Sequence, residues 1–267
     1  LTRLPAETTH TPVPHDVRIF FPHVGKDGAE LWTTAALLSS TSDYFKDLLA
    51  SKFAESVVIG SKRARRSPPP AVRPPMPDRD FQDSDDETDE GASPSSLYDL
   101  DRAPSFSYQQ ITVTQAAHAT YRAALRYFET NFIHFAPSSS STLPNLASAS
   151  ETRADRISSM VAAQPALPIP VSPKSTYRLA RLIGLKYLQD ACLVELAGQL
   201  TPEVAAVELF DRASTSHDEW RAVIVAYAVR HWDKMAATRS WKDAEARIRR
   251  RELPEAAPIV LELMEAR

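Results

Sequence analysis

Seven histidines, one cysteine and six glycines bound the chemistry open to this 267-residue chain. Nucleophilic catalysis needs a nucleophile beside a base, a nucleotide cradle needs clustered glycine, and a zinc site needs His or Cys at ligand spacing. None of these patterns appears. His10, His15, His23, His118, His134, His217 and His231 do not group, and Cys192 lies on an apolar helical face, where it reads as core. The residues that stand out suit binding instead. In Phe53-Ala54-Glu55 an apolar plug is followed by a charge, which joins burial to orientation as small hot spots do. The alternative is that Phe53 is the last core contact of a helix and Glu55 is solvated. Tyr44 and Phe45, just before it on the same helical segment, are expected to share the partner surface. Lys62, Arg63, Arg65 and Arg66 form a basic cluster beside Ser67-Pro68 that suits an acidic import-receptor groove, or else is solvated linker charge. Ser84 and Thr88 sit among carboxylates in "SDDETDE", a setting for phosphorylation by acid-directed kinases or simply a solubilising loop. The expected function is therefore non-catalytic, with no metal and no cofactor.

Totals support the same class. A hydrophobic content of 43% suffices for a core, and the length allows one large domain or two ordinary ones. The formal charge of -3 supplies no field that draws nucleic acid or an anionic membrane, so the expected partners are proteins. No apolar run approaches the roughly eighteen residues of a membrane span. A single cysteine excludes an internal disulfide framework and fits a reducing compartment, so the expected location is intracellular, in cytoplasm and/or nucleus. The chain opens on Leu1 and not on Met, which is compatible with a preceding segment.

The elements that must position these residues follow from periodicity. "DVRIFF" reads as a strand with Val17, Ile19 and Phe21 on one face, "KDG" as a turn and "AELW" as a partner strand. Leu37 and Leu38 mark a short helix. Ser42 is placed as the N-cap of a second, with Asp43 at its positive end and Tyr44, Phe45, Leu48 and Leu49 as its stripe. From 60 to 104 the pattern vanishes into a basic, proline-rich and then acidic tract, expected to be disordered. "FSYQQITV" is a strand, after which Thr114 is expected to cap a helix with Tyr121, Ala124, Leu125 and Phe128 on one face. "NFIHF" follows as an apolar edge element. A Ser/Pro-rich loop is expected over 136–170, with a weak helix over 151–163. Ser172-Pro173 and Thr201-Pro202 start helices, Gly184 divides two, Ser216 with Glu219 suggests a capping box, and Ser240 begins another helix. Trp220, Trp232 and Trp241 are expected to pack the helical tail.

The order of these blocks resembles the BTB/POZ domain, and the acidic insertion with "HDEWRAVIVAYAVRHWD" is most similar to the BTB-domain proteins expanded in fungi. The likeness is carried by "DVRIFF", "LLSSTSDYFKDLLASKFAES", "ITVTQAAHATYRAALRYFETNFI" and "YRLARLIGLKYLQDACLVELAGQL". It implies an α+β fold, a small sheet flanked by short helices. The expected layout is a flexible segment 1–15, a BTB/POZ-like domain 16–200 interrupted by the insertion 60–104 and the loop 136–170, and a helical C-terminal extension 201–267. It implies an adaptor or scaffold, in one form the substrate adaptor of a cullin-type ubiquitin ligase, because Phe53-Ala54-Glu55 is similar to the hydrophobic-x-Glu signature of that contact. The alternative form is a homo-oligomerising nuclear or transcription-related regulator; a cryptic enzyme is the outsider. The family's dimers often exchange an N-terminal strand, for which Leu1 to His15, broken by Pro5, Pro12 and Pro14, is poor material.

Overall fold

Val17, Ile19 and Phe21 are buried and alternate with half-buried Arg18 and Phe20, as a strand with one face on the core requires. A computed structural model describes residues 15–51, 56–59, 108–138, 140 and 152–266, with backbone alone at 56–59. It divides between His118 and Ala119 into two compact units, and all the described strands lie in the first.

In that unit β1 (Val17–Phe21) pairs antiparallel with β2 (Ala29–Thr33), from Phe21↔Ala29 to Val17↔Thr33. The turn depends on Gly28, whose φ of 82° is left-handed and whose added Cβ would lie 2.6 Å from the Phe20 ring and 3.0 Å from the Phe21 carbonyl. Gly28→Ala is expected to cost about 1–3 kcal/mol in urea denaturation; an unchanged midpoint would show that the turn re-forms around a side chain.

Helix α1 (Ala35–Thr41) follows at once, its first amide donating to Asp16 Oδ1 (2.7 Å) and its Leu37 amide to Thr34 Oγ1 (3.1 Å). The Asp that opens the strand thus also fixes the start of the helix. Ser42 is the N-cap position of α2 (Asp43–Ala50), with Asp43 in the first turn, although the Ser42 hydroxyl makes no capping bond. Leu38, Phe45 and Leu48 carry this helix pair into the core.

Strands β3 (Ser56–Ile59) and β4 (Tyr108–Thr112) complete a four-stranded mixed sheet in the order β2-β1-β4-β3. β1 and β4 run parallel, with Ile19 opposite Ile111, and β3 is antiparallel to β4, with Ile59 opposite Tyr108. The chain therefore leaves the sheet at Ile59 and returns at that residue's direct partner. Residues 60–107 connect neighbouring strands of one sheet, not two separate cores. The tract 60–104 and the segment 1–14 themselves lie outside the described residues.

The helix after β4 begins later than Thr114. The Val113 amide still donates to the Phe20 carbonyl (2.9 Å), and Val113 and Ala117 bury their side chains, so α3 starts at His118 and runs to Thr130. Tyr121 and Ala124 are buried and Leu125 and Phe128 half-buried, as their spacing suggested. Asn131, at φ 54°, ends the helix.

In the second unit Phe135 makes an isolated parallel bridge to Val171. Within the expected loop 136–170 a full helix, α4 (Arg153–Ala163), is started by a capping box between Thr152 and Asp155. Then come α5 (Pro173–Leu182), α6 (Lys186–Gln199), α7 (Pro202–Glu208), α8 (Arg212–Ser216), α9 (Asp218–Arg230), α10 (Trp232–Ala237), α11 (Arg239–Arg249) and α12 (Ala256–Glu265). Ser172 and Thr201 cap α5 and α7 as placed. Gly184 ends α5 at φ 73°, with Leu185 N–H on the Ala180 carbonyl and Gly184 N–H on that of Arg181, the two bonds of a Schellman motif.

Two helix starts differ from expectation. Ser216 closes α8 and the N-cap of α9 is His217; Glu219 is drawn away to Tyr177 and Lys186. Thr238, not Ser240, caps α11, accepting from the Trp241 amide (3.1 Å). The boundary expected at residue 200 does not divide the core. Tyr177, Leu188 and Leu196 on its N-terminal side form one buried cluster with Val204, Trp220, Ile224 and Ile259 beyond it.

Candidate functional site

On α2 the period of the sequence decides which residues face a partner. Phe45 is 1% exposed and belongs to the core, so it is not part of a contact surface. Tyr44 is half-buried, its ring edge-on to Phe45 at 5.3 Å, and the exposed side of the helix is Asp43, Lys46, Asp47 and Ala50. Phe53 and Glu55 lie outside the described residues, as do Lys62, Arg63, Arg65, Arg66, Ser84 and Thr88.

The face of the sheet opposite Val17, Ile19 and Phe21 holds a polar and aromatic set. Arg18 bonds through Nε to Glu30 and through Nη1 to Gln110 (3.1 Å), and its guanidinium lies 4.8 Å from the centre of the Phe20 ring. Glu30 also accepts from Trp32 Nε1 (3.0 Å), and Trp32 packs edge-on to Tyr108 at 5.1 Å. Because Arg18 sits opposite both Trp32 and Gln110 in the ladders, the set ties three strands together. Its members were legible in the strand alternation, which leaves Arg18 and Phe20 on the far side.

In the second unit a group of ionisable side chains joins α5, α6 and α9. The Tyr177 ring is fully buried and its hydroxyl donates to Glu219 Oε2 (3.2 Å). Lys186 donates to both Glu219 oxygens (3.2 Å each) and pairs with Asp190. Burial pushes the Tyr177 phenol above its usual value. Burial, and then the nearby Arg181 and Arg178 charges, hold His217 below its own. At neutral pH the phenol keeps its proton, the imidazole is uncharged, and Glu219 is occupied by two donors. This geometry cross-links helices; it does not pair a nucleophile with a base.

Cys192 is fully buried on α6, and burial drives its thiol far above the range in which it ionises. Among the described residues no group of three or more His, Cys, Asp or Glu is placed to hold a metal ion, and no helix is long and apolar enough to cross a membrane.

An apolar surface was missed. Tyr187 and Val194 on α6 are 87% and 74% exposed. The signal was present in their seven-residue separation, which places them on one face of a helix whose other face already carries Leu188, Cys192 and Leu196.

Neither the models of known protein families nor the curated proteins contain a match to this chain.

Proposed function

We propose that the protein is a non-catalytic interaction module of the BTB type, an adaptor or scaffold that works by binding proteins. One observation carries this reading. A β-hairpin, a pair of short helices, a strand that rejoins the same sheet at Tyr108 and then further helices follow the element order of the resemblance, to which the strand Ser56–Ile59 is an addition. Supporting it, Glu219 on α9 is held by Tyr177 on α5 and by Lys186 on α6.

In the form with a cullin as partner, Phe53 and Glu55, which follow α2 in the chain, supply the contact. Affinity purification of the full chain is expected to recover a cullin, with about tenfold or greater loss for Phe53→Ala or Glu55→Ala, the effect of removing a hot-spot residue. Recovery of no cullin, or both variants binding like wild type, would sink the adaptor form.

A further inference from the structure

Gln109 is a polar residue at a core-facing position of the sheet. It lies opposite Val17 in the ladder of β1 and β4, two residues before Ile111, which lies opposite Ile19. Alternation therefore puts its side chain on the same face as the buried Val17, Ile19 and Ile111, where an apolar residue is expected. The side-chain amide instead donates from Nε2 to the Leu49 carbonyl of α2 (3.0 Å). Carbonyls in the last turn of a helix have no partner within it. Ser51 Oγ supplies one to Leu48 (2.9 Å), and Gln109, sixty positions along the chain, supplies the next.

The same strand also takes up the chain a few residues later. β3 begins at Ser56, opposite Ile111, and runs antiparallel to β4 so that Val58 lies opposite Gln109. The chain thus leaves α2 at a point bonded to Gln109 and enters the sheet at a point paired with Ile111, and residues 52–55 connect the two. Along the strand Gln109 and Ile111 are about 7 Å apart. Phe53 and Glu55 fall in the sequence between these two anchored points. A contact whose ends are held in the free protein gives up less conformational entropy on binding.

We propose that Gln109 is a positioning residue for the partner contact at Phe53 and Glu55, acting through the hydrogen bond from its side-chain amide to the Leu49 carbonyl. The inference rests on the reading of Phe53 and Glu55 as that contact. It adds that the contact is set from β4, which the chain reaches only after residues 60–107. The side chain is not what holds the sheet together. The Gln109 backbone amide donates to the Asp16 carbonyl (2.9 Å), a bond that does not depend on the residue type.

Hydrogen exchange of the full chain, read by mass spectrometry on a peptide covering 49–56, measures this hold without any partner. Gln109→Glu keeps the shape of the side chain and removes the donor. It is expected to speed exchange in that peptide about fivefold, the weight of one neutral hydrogen bond, while peptides from β1 and β2 keep their wild-type rates. Titration with the cullin recovered by the wild-type chain reads the contact itself. Gln109→Glu is expected to bind it about fivefold more weakly and to add little to the loss caused by Phe53→Ala. The proposal is overturned if exchange over 49–56 is unchanged, or if it rises equally in β1 and β2, which would mean loss of the whole unit. It is also overturned if the cullin binds Gln109→Glu as tightly as wild type. A wild-type chain that recovers no cullin brings down the adaptor reading and this role with it, whereas a cullin held equally by both chains brings down this role alone.

Discussion

Trp220→Ala is expected to destabilise the helical unit by about 3–5 kcal/mol, the range for truncating a large buried aromatic side chain. Trp220 is fully buried near the start of α9, with its ring 5.1 Å from that of Tyr177 on α5, in the cluster that also holds Leu188, Leu196 and Ile224. Removing it opens a cavity between α5 and α9 that these neighbours, themselves fully buried, have little freedom to fill. The indole contributes through its volume and not through its N–H, which has no hydrogen-bond partner among the described residues. Trp220→Phe keeps most of the ring and removes that buried donor, so it is expected to lose less than half as much as Trp220→Ala. Urea denaturation followed by far-ultraviolet circular dichroism measures both. A loss below about 1 kcal/mol for Trp220→Ala would mean that this core collapses around the gap, contrary to the packing described.

What was legible in the sequence was whatever the chain settles within one or two turns. Ser172-Pro173, Thr201-Pro202 and Gly184 act on amides and carbonyls three to five residues away, and each ends or begins a helix where its chemistry places it. The starts that were misplaced involve competition from further along the chain. Glu219 fits a capping box with Ser216 by spacing, but Tyr177 and Lys186, more than thirty residues earlier in the chain, take its carboxylate. Thr114 fits an N-cap, but the ladder between β1 and β4 extends to Val113 and holds the backbone extended.

The candidate surface divides in the same way. Alternation put Val17, Ile19 and Phe21 inside, yet a helical stripe on α2 cannot by itself say whether Phe45 meets the core or a partner, and Phe45 meets the core. On α6 the sequence reading placed Cys192 on one apolar face, the commoner single buried side, although Tyr187 and Val194 needed a second. The pairing of Ile59 with Tyr108 bears on the largest ambiguity, the place of the proline-rich and acidic tract. Composition marked the tract, but only the register of the sheet fixes both of its ends on neighbouring strands.

The second large effect is expected at Glu208. Lys174 is the second residue of α5 and Glu208 the last of α7, so each charge sits at the helix end whose dipole disfavours it. They offset one another. Lys174 Nζ lies 2.8 Å from Glu208 and 3.2 Å from Asp211, with Glu208 1% and Lys174 13% exposed. Glu208→Ala leaves a buried ammonium with only Asp211 for company and is expected to cost about 3 kcal/mol or more at pH 7 in urea denaturation. Glu208→Ala combined with Lys174→Met removes both charges and is expected to recover most of that loss.

The pH dependence has a definite sign. Burial pulls the Lys174 pKa down, but the Glu208 and Asp211 carboxylates outweigh it and hold it above the ordinary value of 10.5. A raised folded pKa gives stability that is complete below the unfolded value and is lost as pH climbs through the folded one. In Glu208→Ala the burial contribution faces one carboxylate fewer, the folded pKa falls, and less is lost at high pH. The gap between wild type and Glu208→Ala should therefore narrow above about pH 10.5, a window in which the double variant, which has no amine at position 174, loses nothing through this group. A gap that stayed constant through that window would mean that Glu208 acts through packing and not through the ammonium it faces.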